Sequence, residues 1–253
     1  MAATLQSLQQ LINNILNPDR FEDYCPNGLQ VEGAANVAKL VTGVTASQAL
    51  LNAAVENNAD AVMVHHGYFW RGENAAIVGI KKKRIATLLQ NNISLLAYHL
   101  PLDAHPTYGN NAQLGKLLGI ETLGGLFDDI EFSIGSVGQL PVRMPVDQFI
   151  TSVSSVLGRK VQHIAGGPAT IQRIAWCTGA AQEYIEQAAD AGVDMYISGE
   201  ISEPTVHIAR ERGIHYIAAG HHATERYGVQ VLGAHVADQL GIEHSFIDID
   251  CPV

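Results

Sequence analysis

The sequence predicts an α/β protein built as two similar lobes, each a mostly parallel sheet flanked by helices. Three observations predict it. Strand-like and helix-like runs alternate along the chain, which is the grammar of parallel sheets with helical crossovers. The composition is rich in small residues, with 24 glycines, 47% hydrophobic and only 16% charged residues, and so suits closely packed layers. The chain is also written twice: residues 45–67 align without gaps to residues 179–201, so that Gln48 meets Gln182, Ala54 meets Ala188 and Asp60 meets Asp194. A second echo, "LGIE" at 118–121 and again at 240–243, supports the same reading.

The elements follow in order. "KLVTGVT" (39–45) is a strand and "SQALLNAAVENN" (47–58) has helical apolar spacing. "DAVMVHH" (60–66) is a strand, "IVGIKKKRIATLLQNN" (77–92) a helix and "ISLLAYH" (93–99) a strand. In the second half "IHYIAAGHH" (214–222) plays the part of that last strand. The expected lobes are 1–127 and 128–253, with a C-terminal segment free to pack on lobe one. The join, "LFDDIEFSIGSVGQLP" (126–141), has no long Gly/Ser linker.

Bulk properties exclude several classes. A net charge of −10 and a densest cationic run of only "KKKR" (81–84) argue against nucleic-acid binding. Cys25, Cys177 and Cys251 are scattered, with neither a disulfide framework nor zinc spacing, which fits a reducing compartment. The opening "MAATLQSLQQLINNIL" does not read as a signal peptide, and no apolar run approaches the ~20 residues of a membrane span. A cytoplasmic protein is expected. There is no G-x-S-x-G elbow, P-loop or dinucleotide fingerprint.

Ligands in such folds gather outside the carboxyl ends of strands, here in a cleft between the lobes. That rule selects His65 and His66, then His99 with Asp103 and His105, then His221 with Glu225. His99 and Asp103 share the His-x-x-x-acid spacing of His221 and Glu225. On a helix that spacing puts both groups on one face. In lobe one Pro101 argues for a loop instead. Neutral imidazoles and carboxylates suit zinc, manganese or iron. Five of these groups, His65, His66, Asp103, His221 and Glu225, suit two ions better than one, with Asp103 or Glu225 as the bridge. His65 and His66 must both face the site, and Gly67 is expected to allow the necessary turn. His99 reads either as a ligand or as a donor that orients Asp103. Glu200, aligned with His66, reads as a proton-handling acid or as a surface carboxylate. Phe69, Trp70 and Arg71 could stack on and pair with a phosphorylated or heteroaromatic substrate, or serve an interface. His163, His207, His215, His235 and His244 are expected to be structural.

Four segments carry a resemblance: "CPNGLQVEG" (25–33), "HHG" (65–67), "AYHLPLDAH" (97–105) and "GHHATERYG" (220–228). In these the chain resembles the GTP cyclohydrolase 1 type 2-like family, proteins with a dinuclear metal centre, in its short bacterial form. The resemblance implies a two-lobed α/β fold, a ring-shaped homohexamer, and His65, His66, Asp103, His221 and Glu225 as ligands of two divalent ions, whether iron, zinc, manganese or magnesium. Gly67 stands where many members carry proline. The family name implies hydrolytic opening of the purine ring of GTP, with His99 and Glu200 as candidate proton carriers. The alternative is a non-catalytic metal-binding protein, such as a metal chaperone, an insertase or a regulatory partner.

Overall fold

A computed structural model describes residues 2–127 and 132–253. The expected join between lobes, after residue 127, borders positions 128–131, which lie outside the described residues. In chain order the elements are β1 (Ala3–Thr4), α1 (Leu5–Leu16), β2 (Gly28–Val31), β3 (Asn36–Val37), β4 (Lys39–Thr45), α2 (Gln48–Glu56), β5 (Ala61–His66), α3 (Gly79–Gln90), β6 (Ser94–Ala97), α4 (Leu100–Ala104) and α5 (Asn110–Leu117). They continue with β7 (Glu121–Gly125), β8 (Ser136–Pro145), α6 (Val146–Leu157), β9 (Gln162–Ile164), β10 (Thr170–Cys177), α7 (Ile185–Asp190), β11 (Met195–Ser198), α8 (Glu203–Arg212), β12 (His215–Ala218), α9 (His221–Leu240) and β13 (Glu243–Phe246).

The chain forms two compact units, Met1–Leu102 with Gly228–Asp250, and Asp103–Tyr227 with Cys251–Val253. Unit one ends at Leu102 and includes the C-terminal stretch Gly228–Asp250. The second boundary falls inside α9.

Unit one holds a five-stranded sheet of order β13-β4-β5-β6-β2. Among the described residues β13, β4, β5 and β6 pair in parallel, and only β2 runs antiparallel, against β6. On one face α2 and α3 bring Leu50, Leu51, Ala54, Ile85 and Leu88 onto Val41, Val62, Val64 and Leu95. Ser47 caps α2 by accepting from Leu50 N–H, and starts the helix where the strand signal ends.

Unit two holds a six-stranded sheet of order β7-β8-β10-β11-β12-β9. Only β10, β11 and β12 are parallel neighbours; β7–β8, β8–β10 and β12–β9 are antiparallel. The expectation of a mostly parallel sheet fails here, because β7 and β8 join as a meander that needs no crossover helix. Alternation along β10 sorts the two cores. Ile174 and Trp176 face α6, while Ala175 and Cys177 face α7 and α8.

One carboxylate job recurs at an offset of 134 residues. Asp60 accepts the N–H groups of Ala38 and Lys39, and its carbonyl takes Ser94 N–H. Asp194 accepts the N–H groups of Gln172 and Arg173, and its carbonyl takes His215 N–H. Each aspartate thus ties together the starts of three parallel strands. No helix among the described residues is long and apolar enough to cross a membrane.

Candidate metal centre

In unit one β5 runs on through His66, so the strand does not break early to present its histidines. The two rings nonetheless lie 4.5 Å apart, and the His99 ring lies 5.0 Å from that of His65. The ligand nitrogens of His65, His66 and His99 fall within 4.8 Å of one another. His65 is fully buried. Its Nδ1 lies 3.0 Å from the carbonyl of Tyr98, which can only accept. Nδ1 therefore carries the hydrogen and Nε2 the lone pair, the form a cation needs. His66 Nδ1 meets the Thr45 hydroxyl at 3.2 Å.

Gly67 does a different job from the expected turn. A Cβ there would lie 2.3 Å from Gln30 Oε1 and 2.5 Å from the Ala97 Cβ, so the glycine serves close packing. The unusual backbone comes two residues later, where Phe69 adopts φ of 66°. Bulky residues rarely occupy that region, and strain of this kind clusters at functional sites. Gln30 holds the loop: its Oε1 accepts from Tyr68 N–H at 2.7 Å, and its Nε2 donates to the carbonyls of Tyr68 and Pro26. Trp70 then stands edge-on to His99, with ring centroids 5.0 Å apart. Arg71 gives its guanidinium to the carbonyl of Asp23, and so braces one loop against another.

His99 is oriented by a residue that the strand-end rule missed. Asp23 Oδ1 sits 2.7 Å from His99 Nδ1, while Oδ2 accepts from Leu100 N–H and the Asn27 amide. Burial alone would raise the Asp23 carboxyl; the hydrogen bond and charge of His99, with the donors from Asn27 and Leu100, bring it down to about 2. Asp23, Cys25 and His99 form a further group of close ligand atoms. Burial, then the charge of Asp23, pushes the Cys25 thiol up to about 12, which keeps it protonated. The only signal for Asp23 was its place two residues ahead of "CPNGLQVEG".

In unit two His221 opens α9, and its Nε2 lies 3.1 Å from Glu225 Oε2, the i,i+4 pair the spacing predicts. Glu200 is no isolated surface carboxylate: its Oε1 lies 2.6 Å from His221 Nδ1. Burial alone would lower the His221 pKa; hydrogen bonds and charge from Glu225, then Glu200, carry it up to about 9. Asp103 and Glu225 are both buried, with carboxylate oxygens within 4.8 Å of each other. Asp103 Oδ1 accepts from the Asn110 amide at 2.9 Å and the Thr178 hydroxyl at 3.2 Å. Asn111 ties the Asp103 carbonyl to Thr178 N–H. Burial, then the charges of Asp103 and Glu225, drives the Cys177 thiol well up, which favours its protonated form.

The expected loop at Pro101 is corrected. Leu100–Ala104 is a short helix, and Pro101 sits in its first turn, where a missing N–H costs nothing. His105 turns to its own loop, where its Nδ1 accepts from the N–H groups of Thr107 and Tyr108. His163 and His215 bond each other at 3.1 Å, and His244 bonds Thr42 at 2.9 Å. His222 gives its backbone N–H to the Val253 carbonyl, and it is His221 that pairs with the acid.

Comparison with known proteins completes the description. A protein from Pseudomonas aeruginosa named "GTP cyclohydrolase 1 type 2 homolog" is 57% identical over 253 residues, covering 100% of this chain and 99% of that one. A solved structure described as protein ybgI, of unknown function, superposes with a TM-score of 0.95 at 50% identity, over 99% of this chain and 100% of that one. A crystal structure of a protein from Thermus thermophilus gives a TM-score of 0.90 at 32% identity, over 99% and 100% of the two chains. With residues 3–252 matching its pattern, the chain belongs to the Duf34/NIF3 (NGG1p interacting factor 3) family.

Proposed function

We propose that this protein is a dinuclear metal-dependent hydrolase acting on a nucleotide-like or heterocyclic small molecule. His65, His66, Asp103, His221 and Glu225 would hold two divalent cations. The observation that carries the reading is the pair of buried carboxylates, Asp103 and Glu225, with oxygens within 4.8 Å. Two anions so close in a low-dielectric setting call for positive charge between them. The donor set fits: His65 presents Nε2 in the neutral tautomer, and the carboxylates are hard oxygen ligands. Bound divalent cations would lower the pKa of water and stabilise a developing oxyanion. Glu200 holds the Nδ1 side of His221, and Asp23 holds the Nδ1 hydrogen of His99, leaving His99 Nε2 to take or give a proton. The names of the relatives favour a purine nucleotide as the substrate class. A cytoplasmic, ring-shaped homohexamer belongs to the same proposal.

The test is metal analysis of natively purified protein followed by a substrate screen with that metal restored. The expected result is about two divalent ions per chain, fewer in Glu225→Ala and His65→Ala, and turnover lost in both while the circular dichroism spectrum stays native. Full turnover in metal-free protein overturns the reading. Bound metal that exchanges readily to partners, with no turnover across the panel, makes the protein a metal carrier instead.

A further inference from the structure

Beside Glu200, unit two opens a cleft of about 360 Å³ lined by Arg159, Lys160, Gln162, Gly199, Glu200 and Gly220, among others. That volume lies in the range of small-molecule sites, roughly 300–1,000 Å³. Its floor is backbone. Gly199 follows β11 and Gly220 follows β12, so the cleft lies at the carboxyl ends of parallel strands, where such sheets bind ligands. Gln162 lies on β9 and pairs with Ala218 of β12.

Among the described residues neither Arg159 nor Lys160 forms an ion pair. Arg159 gives one Nη2 hydrogen to the Pro252 carbonyl at 3.0 Å. The guanidinium approaches Gly220 closely: a Cβ at that position would fall 1.9 Å from Nη1. Gly220 also has φ of 103°, so it alone permits both the turn into α9 and the seat for the arginine. One anchored hydrogen bond fixes the planar fork, and the remaining donors can serve a ligand. Glu200 brings a negative charge to the same wall, but its Oε1 is taken by His221 Nδ1 at 2.6 Å.

We propose that Arg159 and Lys160, with the Gln162 amide, form a phosphoryl-binding subsite beside Glu200 and His221. Two cations match a phosphoryl dianion, and the arginine fork matches two of its oxygens. The substrate class is thereby narrowed to phosphorylated small molecules, bound without a P-loop. The subsite rests on the hydrolase reading for its ligand to be a substrate; the binding itself stands without turnover.

The test is titration of inorganic phosphate into the full chain as purified, followed by calorimetry, beside Lys160→Gln, the double variant Arg159→Gln/Lys160→Gln, His65→Ala and the charge control Lys82→Gln. Loss of one charge-assisted contact weakens binding about tenfold, and the double variant loses more. Lys82→Gln and His65→Ala keep wild-type affinity. Lys160 is exposed, so its variant reports even if the arginine change harms folding. The proposal is overturned if wild type binds no phosphate, if Lys160→Gln and the double variant bind as wild type does, if His65→Ala alone abolishes binding, or if acetate binds as tightly. Arginine-dependent phosphate binding without turnover on any substrate would instead sink the hydrolase reading and leave the subsite standing.

Discussion

Gly179 shows how finely single residues set this centre. It has φ of 70°, and a Cβ there would fall 2.1 Å from Glu225 Oε1. Gly192 has φ of 69° with nothing within 4 Å, so it isolates the backbone effect. Alanine in the left-handed region costs about 1–2 kcal/mol. Gly192→Ala should therefore lower the melting temperature and leave bound metal unchanged. Gly179→Ala should lower both, because Glu225 must move; equal metal contents in the two variants would contradict this. At this scale the sequence was readable where spacing is local. His221 and Glu225 sit four apart on one helix, and the strand ends named His65 and His66. Asp23 and Gln30 were not readable, since their partners His99 and Tyr68 lie 76 and 38 residues away.

The longest helix, α9, carries His221 and Glu225 in its first turns, and its later residues pack on the sheet of unit one. The approach is close at Gly233, where a Cβ would lie 2.5 Å from both Thr42 Cγ2 and His244 Nε2. Those groups are themselves tied together, so neither can yield cheaply. Gly233→Val should cost about 1–3 kcal/mol by overpacking, read as a lower urea midpoint; an unchanged midpoint would mean that the helix can slide. Elements with strong periodicity were legible: β4 runs over residues 39–45, the span its sequence predicts. Antiparallel β8 was not, because a ten-residue strand that pairs on both sides leaves no crossover signature. The helix at Leu100–Ala104 was missed because proline was read as a breaker rather than as a first-turn residue.

Across the whole molecule, half-buried histidines set a response to acid. Burial lowers the pKa of His163, with His215 adding to the effect and Asp147 opposing it, and burial lowers that of His244. The unfolded chain takes up these protons first, near pH 6.5. Stability from this source is thus whole above about pH 6.5 and falls as pH drops below it, until the folded groups also protonate. Melting temperatures measured from about pH 6.5 to pH 5, below the range in which the raised pKa of His221 changes stability, should decline, and more shallowly in a His163→Gln/His244→Gln double variant. An identical slope would assign the decline to other groups. The α/β class was legible from the alternation of strand-like and helix-like runs, and Asp60 and Asp194 do the same work 134 residues apart. The boundary of unit one at Leu102 was not, because no shift in composition marks it. Those two aspartates have a further consequence. They hem each sheet along the edge where its parallel strands begin, while the histidines and acids emerge from the opposite edge. Cohesion and chemistry thus draw on separate margins of the same fabric, and side chains on the working margin are free to change without loosening the seam.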